Sequence, residues 1–167
     1  AGLITVLFIV SMLSTAYAEP IYPDLVAEET IPVGTVTVSN DADNLYVEYE
    51  VTVGGLYLIE LHLAVDSPLT DIPQNRGHNP KVGQFPYQEP WSPPPYDTQT
   101  PASHTFTIDL DDLGATPGTV LKIAAQAEVG YWDWYWDGFQ WVPYVAFEMT
   151  AWGSGAGFGG SNWAMVI

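Results

Sequence analysis

The sequence predicts an all-β domain, an antiparallel β-sandwich preceded by a hydrophobic N-terminal helical segment. Three observations carry this. Several strand-length runs alternate apolar and polar residues at period two, which marks strands with one buried and one wet face. Gly, Pro, Asn and Asp clusters bracket those runs. Asp137-Gly138, set between aromatic runs, is a short-range hairpin signal.

The clearest run is Leu45–Val53, where Leu45, Val47, Tyr49, Val51 and Val53 share one face. After Gly54-Gly55 the same parity continues through Tyr57, Ile59, Leu61, Leu63 and Val65. Read as a hairpin with both odd sets inward, it needs the loop Gly54-Gly55-Leu56, pairing Val53 with Tyr57 and Val51 with Ile59. That register sets Glu48 opposite His62 and Glu50 opposite Glu60, a like-charge pair that needs solvent or a cation.

Residues 1–18 form an apolar block, Leu3–Leu13, followed by small residues ending Ala16-Tyr17-Ala18. This is the pattern of a signal peptide with its cleavage site, and it places the protein outside the cell. A retained hydrophobic helix, as in a pilin-like filament subunit, is the other reading. Pro20 and Pro23 would end such a helix early. Residues 19–34 read as a Pro-punctuated lead-in, and 35–167 as the sandwich domain.

Thr35–Ser39 is a first strand, and Asn40–Asn44 a turn. Asp41 and Asp43 in that turn could ligate calcium, but the full EF-hand pattern is missing and a self-capping Asx turn explains them. Residues 66–103 are a long loop holding most of the chain's 14 prolines. A loop of that length inside a compact domain is usually functional. Its Arg76, His78, Lys81, Phe85, Tyr87 and Trp91 form either a recognition surface or a flap whose aromatics cover the core. His104–Leu110 alternates again, and in Val120–Val129 the inward set is Leu121, Ile123, Ala125, Ala127 and Val129.

The segment 131–144, YWDWYWDGFQWVPY, follows. A two-residue turn at Asp137-Gly138 pairs Trp136 with Phe139, Trp134 with Trp141 and Trp132 with Pro143. One face then carries Trp132, Trp134, Trp136, Phe139 and Trp141, and the other Tyr135 and Tyr144. Such a surface can stack on sugar rings or bury against another subunit.

With 20 acidic and 3 basic residues, the formal charge of −17 argues against binding nucleic acid or anionic lipid surfaces. There is no cysteine, which excludes disulfides, thiolate metal sites and a cysteine nucleophile. No phosphate-binding loop, metalloprotease motif or serine elbow is present, and the three histidines lack metal-ligand spacing. The expectation is a protein that is not an enzyme and needs no cofactor beyond calcium at Asp41 and Asp43.

The stretch Asn79-Pro80-Lys81-Val82-Gly83-Gln84-Phe85-Pro86-Tyr87, with Thr150-Ala151-Trp152-Gly153 and Asn162-Trp163-Ala164, resembles a β-sandwich module of secreted and cell-surface archaeal and bacterial envelope proteins. That resemblance covers roughly Thr35 to the end and implies an extracellular, non-catalytic domain with no catalytic residues to carry over. The aromatic hairpin departs from the module's plainer connection. Two functions stand side by side: a structural envelope module assembling with itself or other envelope proteins, and a carbohydrate-binding module using the Trp hairpin on a polysaccharide.

Overall fold

The computed structural model describes residues 18–91 and 101–167. The hydrophobic segment expected over residues 1–18 lies, except for Ala18, outside them. The described chain is all-β. Eight strands form one antiparallel sheet: β1 (Asp24–Ala27), β2 (Ile31–Asn40), β3 (Asn44–Val51), β4 (Tyr57–Asp66), β5 (Tyr87–Pro90), β6 (Ser103–Asp109), β7 (Lys122–Trp136) and β8 (Trp141–Gly153). Two short strands, β9 (Ala156–Gly157) and β10 (Met165–Val166), pair with each other. The order across the large sheet is β5-β4-β7-β8-β1-β2-β3-β6.

The sheet curls until its end strands meet. Tyr87 of β5 packs on Phe106 of β6 at 6.3 Å between ring centroids, and Trp91 meets His104 edge-on at 5.4 Å. The Pro101 and Ala102 carbonyls accept from Leu58 N–H and Val51 N–H, so one segment ties the start of β4 to the end of β3. The two layers expected of a sandwich are therefore two halves of one nearly closed sheet. Closure removes most of the unpaired edge that an open sheet would present.

Period-two alternation gives this curled sheet its inside. Leu45, Val47, Tyr49 and Val51 of β3 are buried, as are Ile123, Ala125, Ala127 and Val129 of β7, against Leu25, Val36 and Val38. The alanines let β7 lie close to the opposite layer. On β4 a bulge between Leu58 and Glu60 shifts the parity, so Leu58 enters the core with Leu61, Leu63 and Val65.

The pairing of β3 with β4 is overturned. β3 is bonded to β2 and β6, and β4 to β5 and β7. The Gly54-Gly55 segment is an arch that carries the chain from one layer to the other. The strands meet through side chains, and the Tyr49 hydroxyl donates to the His62 carbonyl at 3.3 Å. Glu48 is therefore opposite Thr37 and Thr105, and Glu50 opposite Thr35 and Ser103. Val53, expected inside, lies on the arch and is 41% exposed. The lead-in also contributes more than expected, since β1 closes the gap between β8 and β2.

A second, smaller core sits on the outside of β4, β7 and β8. Ala64, Ala124 and Trp152 form its floor. Ile72 and Phe85 of the Pro-rich loop cover it, together with Phe158, Ala164 and Val166 of the C-terminal segment. Trp152 stands edge-on to both Phe85 and Phe158. The motifs at 79–87, 150–153 and 162–164 converge here. The Asn79 side-chain oxygen also accepts from Asn162 N–H at 3.1 Å.

Candidate functional site

β7 and β8 outrun the rest of the sheet. β4 pairs with β7 as far as Gly130, and β1 pairs with β8 only from Ala151. Between those limits, among the described residues, residues 131–148 are a two-stranded ribbon with no third strand on either side. Its base is a bulge. Tyr131 pairs with Phe147 and Trp132 with Val145, so β8 carries one extra residue and the ribbon can turn away from the sheet. Gly130 sits at this bend because a Cβ there would lie 2.0 Å from the Phe147 carbonyl oxygen.

The ribbon's tip differs from the expected two-residue turn. Trp136 pairs with Trp141, leaving Asp137-Gly138-Phe139-Gln140 as the loop. The Asp137 carboxylate causes this. One oxygen accepts from Phe139 N–H at 2.7 Å and Gln140 N–H at 2.9 Å, and Asp137 N–H donates to the Gln140 carbonyl. These backbone donors, Gln140 first, hold the Asp137 carboxyl below the usual aspartate range. Gly138, at φ 104°, takes the left-handed position that the loop needs.

The register moves by two residues, so the faces survive while the partners change. One face carries Trp132, Trp134 and Trp136 with Trp141, Pro143 and Val145. The other carries Tyr131, Asp133 and Tyr135 with Val142, Tyr144 and Phe147. Phe139 belongs to neither face; it caps the loop and is 90% exposed. Trp136 and Trp141 cross edge-on at 5.8 Å, and Tyr131 stacks on Phe147 at 5.8 Å. Tyr131, Tyr135, Trp136, Trp141, Tyr144 and Phe147 are all exposed. Exposed aromatic rings therefore stand on both faces of the ribbon and at its tip.

The Pro-rich loop divides. Phe85 is buried in the second core, while Tyr87 and Trp91 are half-buried where the sheet closes. These three are the flap over the core. Arg76, His78 and Lys81 are exposed on a turn organised by the Asn75 side chain, which accepts from Gly77 N–H and Asn79 N–H. They face solvent on an element distinct from the ribbon. In the 40–44 turn, Asp41 accepts from Asp43 N–H, Asn44 N–H and the Tyr46 hydroxyl. The tyrosine bond, then the backbone bonds, lower its pKa. Among the described residues no group of three His, Asp or Glu side chains converges as a metal site.

No spacing of residues foretells a cavity of about 370 Å³ on the outer face of the sheet. Glu128 lies in it, accepting from the Gln126 amide at 2.6 Å and from the Thr150 hydroxyl at 3.0 Å. Burial raises the Glu128 pKa, an effect those two hydrogen bonds partly offset. The lining residues come from five segments spread along the chain, so no motif spacing could have joined them. Compared with family models, curated proteins and solved structures, the chain matches none of them.

Proposed function

We propose that this chain is a non-enzymatic, secreted surface or envelope module that assembles with copies of itself through the ribbon 131–148. The observation that carries the reading is the ribbon's two-sidedness: exposed aromatic rings on both faces and at the tip, with no third strand beside it among the described residues. A sugar platform needs one aromatic face. A ribbon aromatic on both faces that projects beyond its sheet suits insertion between, or pairing beside, other strands. A second copy is the natural occupant, because antiparallel pairing of identical edges about a twofold axis satisfies both at once. Asp133, Asp137 and Glu148 are the only charges on the ribbon, so little charge needs to be desolvated there. The molecule as a whole, at −17, repels its own copies.

This repulsion makes the test specific. Sedimentation velocity across a concentration series should show reversible association that strengthens as added salt screens the charge. A protein that stays monomeric at every salt and protein concentration overturns the proposal. The extracellular placement rests on the leader pattern of residues 1–18. The N-terminal residue of protein from its native source checks it: Glu19 is expected, and retention of Ala1 favours the filament-subunit reading instead.

A further inference from the structure

The outer face of the sheet carries a set of polar atoms that the fold leaves without partners. Among the described residues, three buried side-chain atoms have no hydrogen-bond partner: His62 Nδ1, Gln126 Oε1 and Trp132 Nε1. By strand parity all three residues belong to one face of the sheet. His62 and Gln126 are direct cross-strand partners on β4 and β7, on the side opposite Leu61, Leu63, Ala125 and Ala127 of the core. Trp132 shares the parity of Gln126 along β7, so its ring rises from the same face. A buried polar group left unpaired is costly, so three on one face call for a common explanation.

Gln126, 2% exposed, also lines the cavity. Trp152 and Trp163 supply aromatic wall there, and Glu128, Thr150 and Asn162 supply polar groups. The volume of about 370 Å³ falls in the small-ligand range. We propose that this cavity and the adjoining face toward Trp132 bind an uncharged, polyhydroxylated ligand, a neutral oligosaccharide.

The chemistry selects that class by elimination. No Lys or Arg lines the cavity, and Glu28 and Glu128 do, so anionic sugars and phosphates are repelled. A cation is disfavoured because the Glu128 carboxylate already takes donors from Gln126 and Thr150 within the protein. What the face lacks is a donor for Gln126 Oε1 and an acceptor for the Trp132 N–H. Ammonium ions and metals cannot supply both, whereas a hydroxyl donates and accepts. Six residues along β7 separate Gln126 from Trp132, about 20 Å of strand, so a chain-like ligand rather than a single ring reaches both. The indoles at Trp152, Trp163 and Trp132 offer the apolar ring faces that sugar C–H groups cover.

This inference goes beyond the assembly reading and does not depend on it. The test is isothermal titration of the full chain with neutral hexasaccharides (cello-, xylo-, manno-, malto- and chito-series), run beside a trimethylammonium probe and calcium. At least one hexasaccharide is expected to bind. Thr150→Val and Trp132→Phe, which keep size and ring, should each weaken it about tenfold, the loss of roughly one hydrogen bond. Val120→Ala, at an exposed position ahead of β7 and away from the cavity, should leave it unchanged. Urea unfolding of each variant separates lost binding from lost fold. Heat from none of the hexasaccharides overturns the inference, as does binding of the trimethylammonium or calcium probe alone. Binding that both variants retain in full also overturns it, by placing the ligand elsewhere.

Discussion

Replacing Phe139 by Asp separates a ribbon built for contact from one built for stability. Phe139 is 90% exposed at the loop tip, outside both cores, so the folded chain gains almost nothing from its ring. Surface substitutions of this kind stay within about 0.5 kcal/mol of the parent in unfolding free energy. An assembled ribbon is different. An aromatic anchor at the centre of a contact contributes about 2 kcal/mol or more. In a twofold pair each copy contributes its own Phe139, so the loss is about 4 kcal/mol, or close to a thousandfold in the dimer dissociation constant. The incoming carboxylate adds repulsion to an already acidic molecule. Sedimentation equilibrium measures the association, and urea unfolding of the same samples measures the stability. An association constant that moves less than about tenfold would refute the assignment of the tip as a contact. A fall in unfolding free energy of about 2 kcal/mol would show instead that the ring supports the fold.

Three further outcomes test the frame around the ribbon. Gly130→Ala places a methyl group 2.0 Å from the Phe147 carbonyl oxygen, and no side chain can swing aside to admit it. We expect a loss of about 3 kcal/mol by urea denaturation, with unchanged stability showing that the bend yields easily. Trp152→Ala empties the centre of the second core, where the ring is 4% exposed between Phe85 and Phe158. A loss of about 3–5 kcal/mol is expected, with faster proteolytic cleavage of the C-terminal segment; native-like protease resistance would contradict it. Glu128→Gln tests the cavity's electrostatics through pH. Burial raises the Glu128 pKa above 4.5, so its contribution to stability is full below that value and is lost as pH rises through the folded pKa. The neutral variant should therefore gain on the parent as pH rises from 4 toward 7, read as the difference between melting temperatures. A difference that stays flat, or falls, across that window would mean the carboxylate is not desolvated.

Which residues face inward was legible because alternation is a local property. Leu45, Val47, Tyr49 and Val51 were read inward from spacing alone, as were Ile123, Ala125, Ala127 and Val129, and all are buried. Partner choice was not legible, and the Gly54-Gly55 segment shows why. A hairpin and an arch both bring the odd residues of β3 and β4 into one core. In the hairpin they sit side by side on one layer, whereas in the arch they face each other across two. Parity is the same in both, so only the long-range pairings of β3 with β6 and β4 with β7 decide between them. The ribbon gives the converse case. Its faces were legible because a two-residue shift preserves parity, but its turn was not, because the Asp137 side chain captures two backbone donors and enlarges the loop.

The outer face was hidden for a further reason. Read along β7, Gln126 and Glu128 are two polar residues on the wet side of an alternating strand, which is what any half-exposed strand shows. They acquire meaning only when β4 brings His62 beside Gln126 and β8 brings Thr150 beside Glu128. The C-terminal segment then covers part of the same face with Trp163 and Ala164. Covering a wet strand face without pairing its polar atoms is costly, and β7 had an inexpensive alternative. Ala124, two residues earlier on the same face, lies fully buried under the same flap and leaves no polar atom behind. The flap thus seals an apolar row at one end and leaves a polar, partly roofed row at the other. That gradient along a single strand, from Ala124 through Gln126 and Glu128 to Trp132, is what the proposed oligosaccharide site draws on.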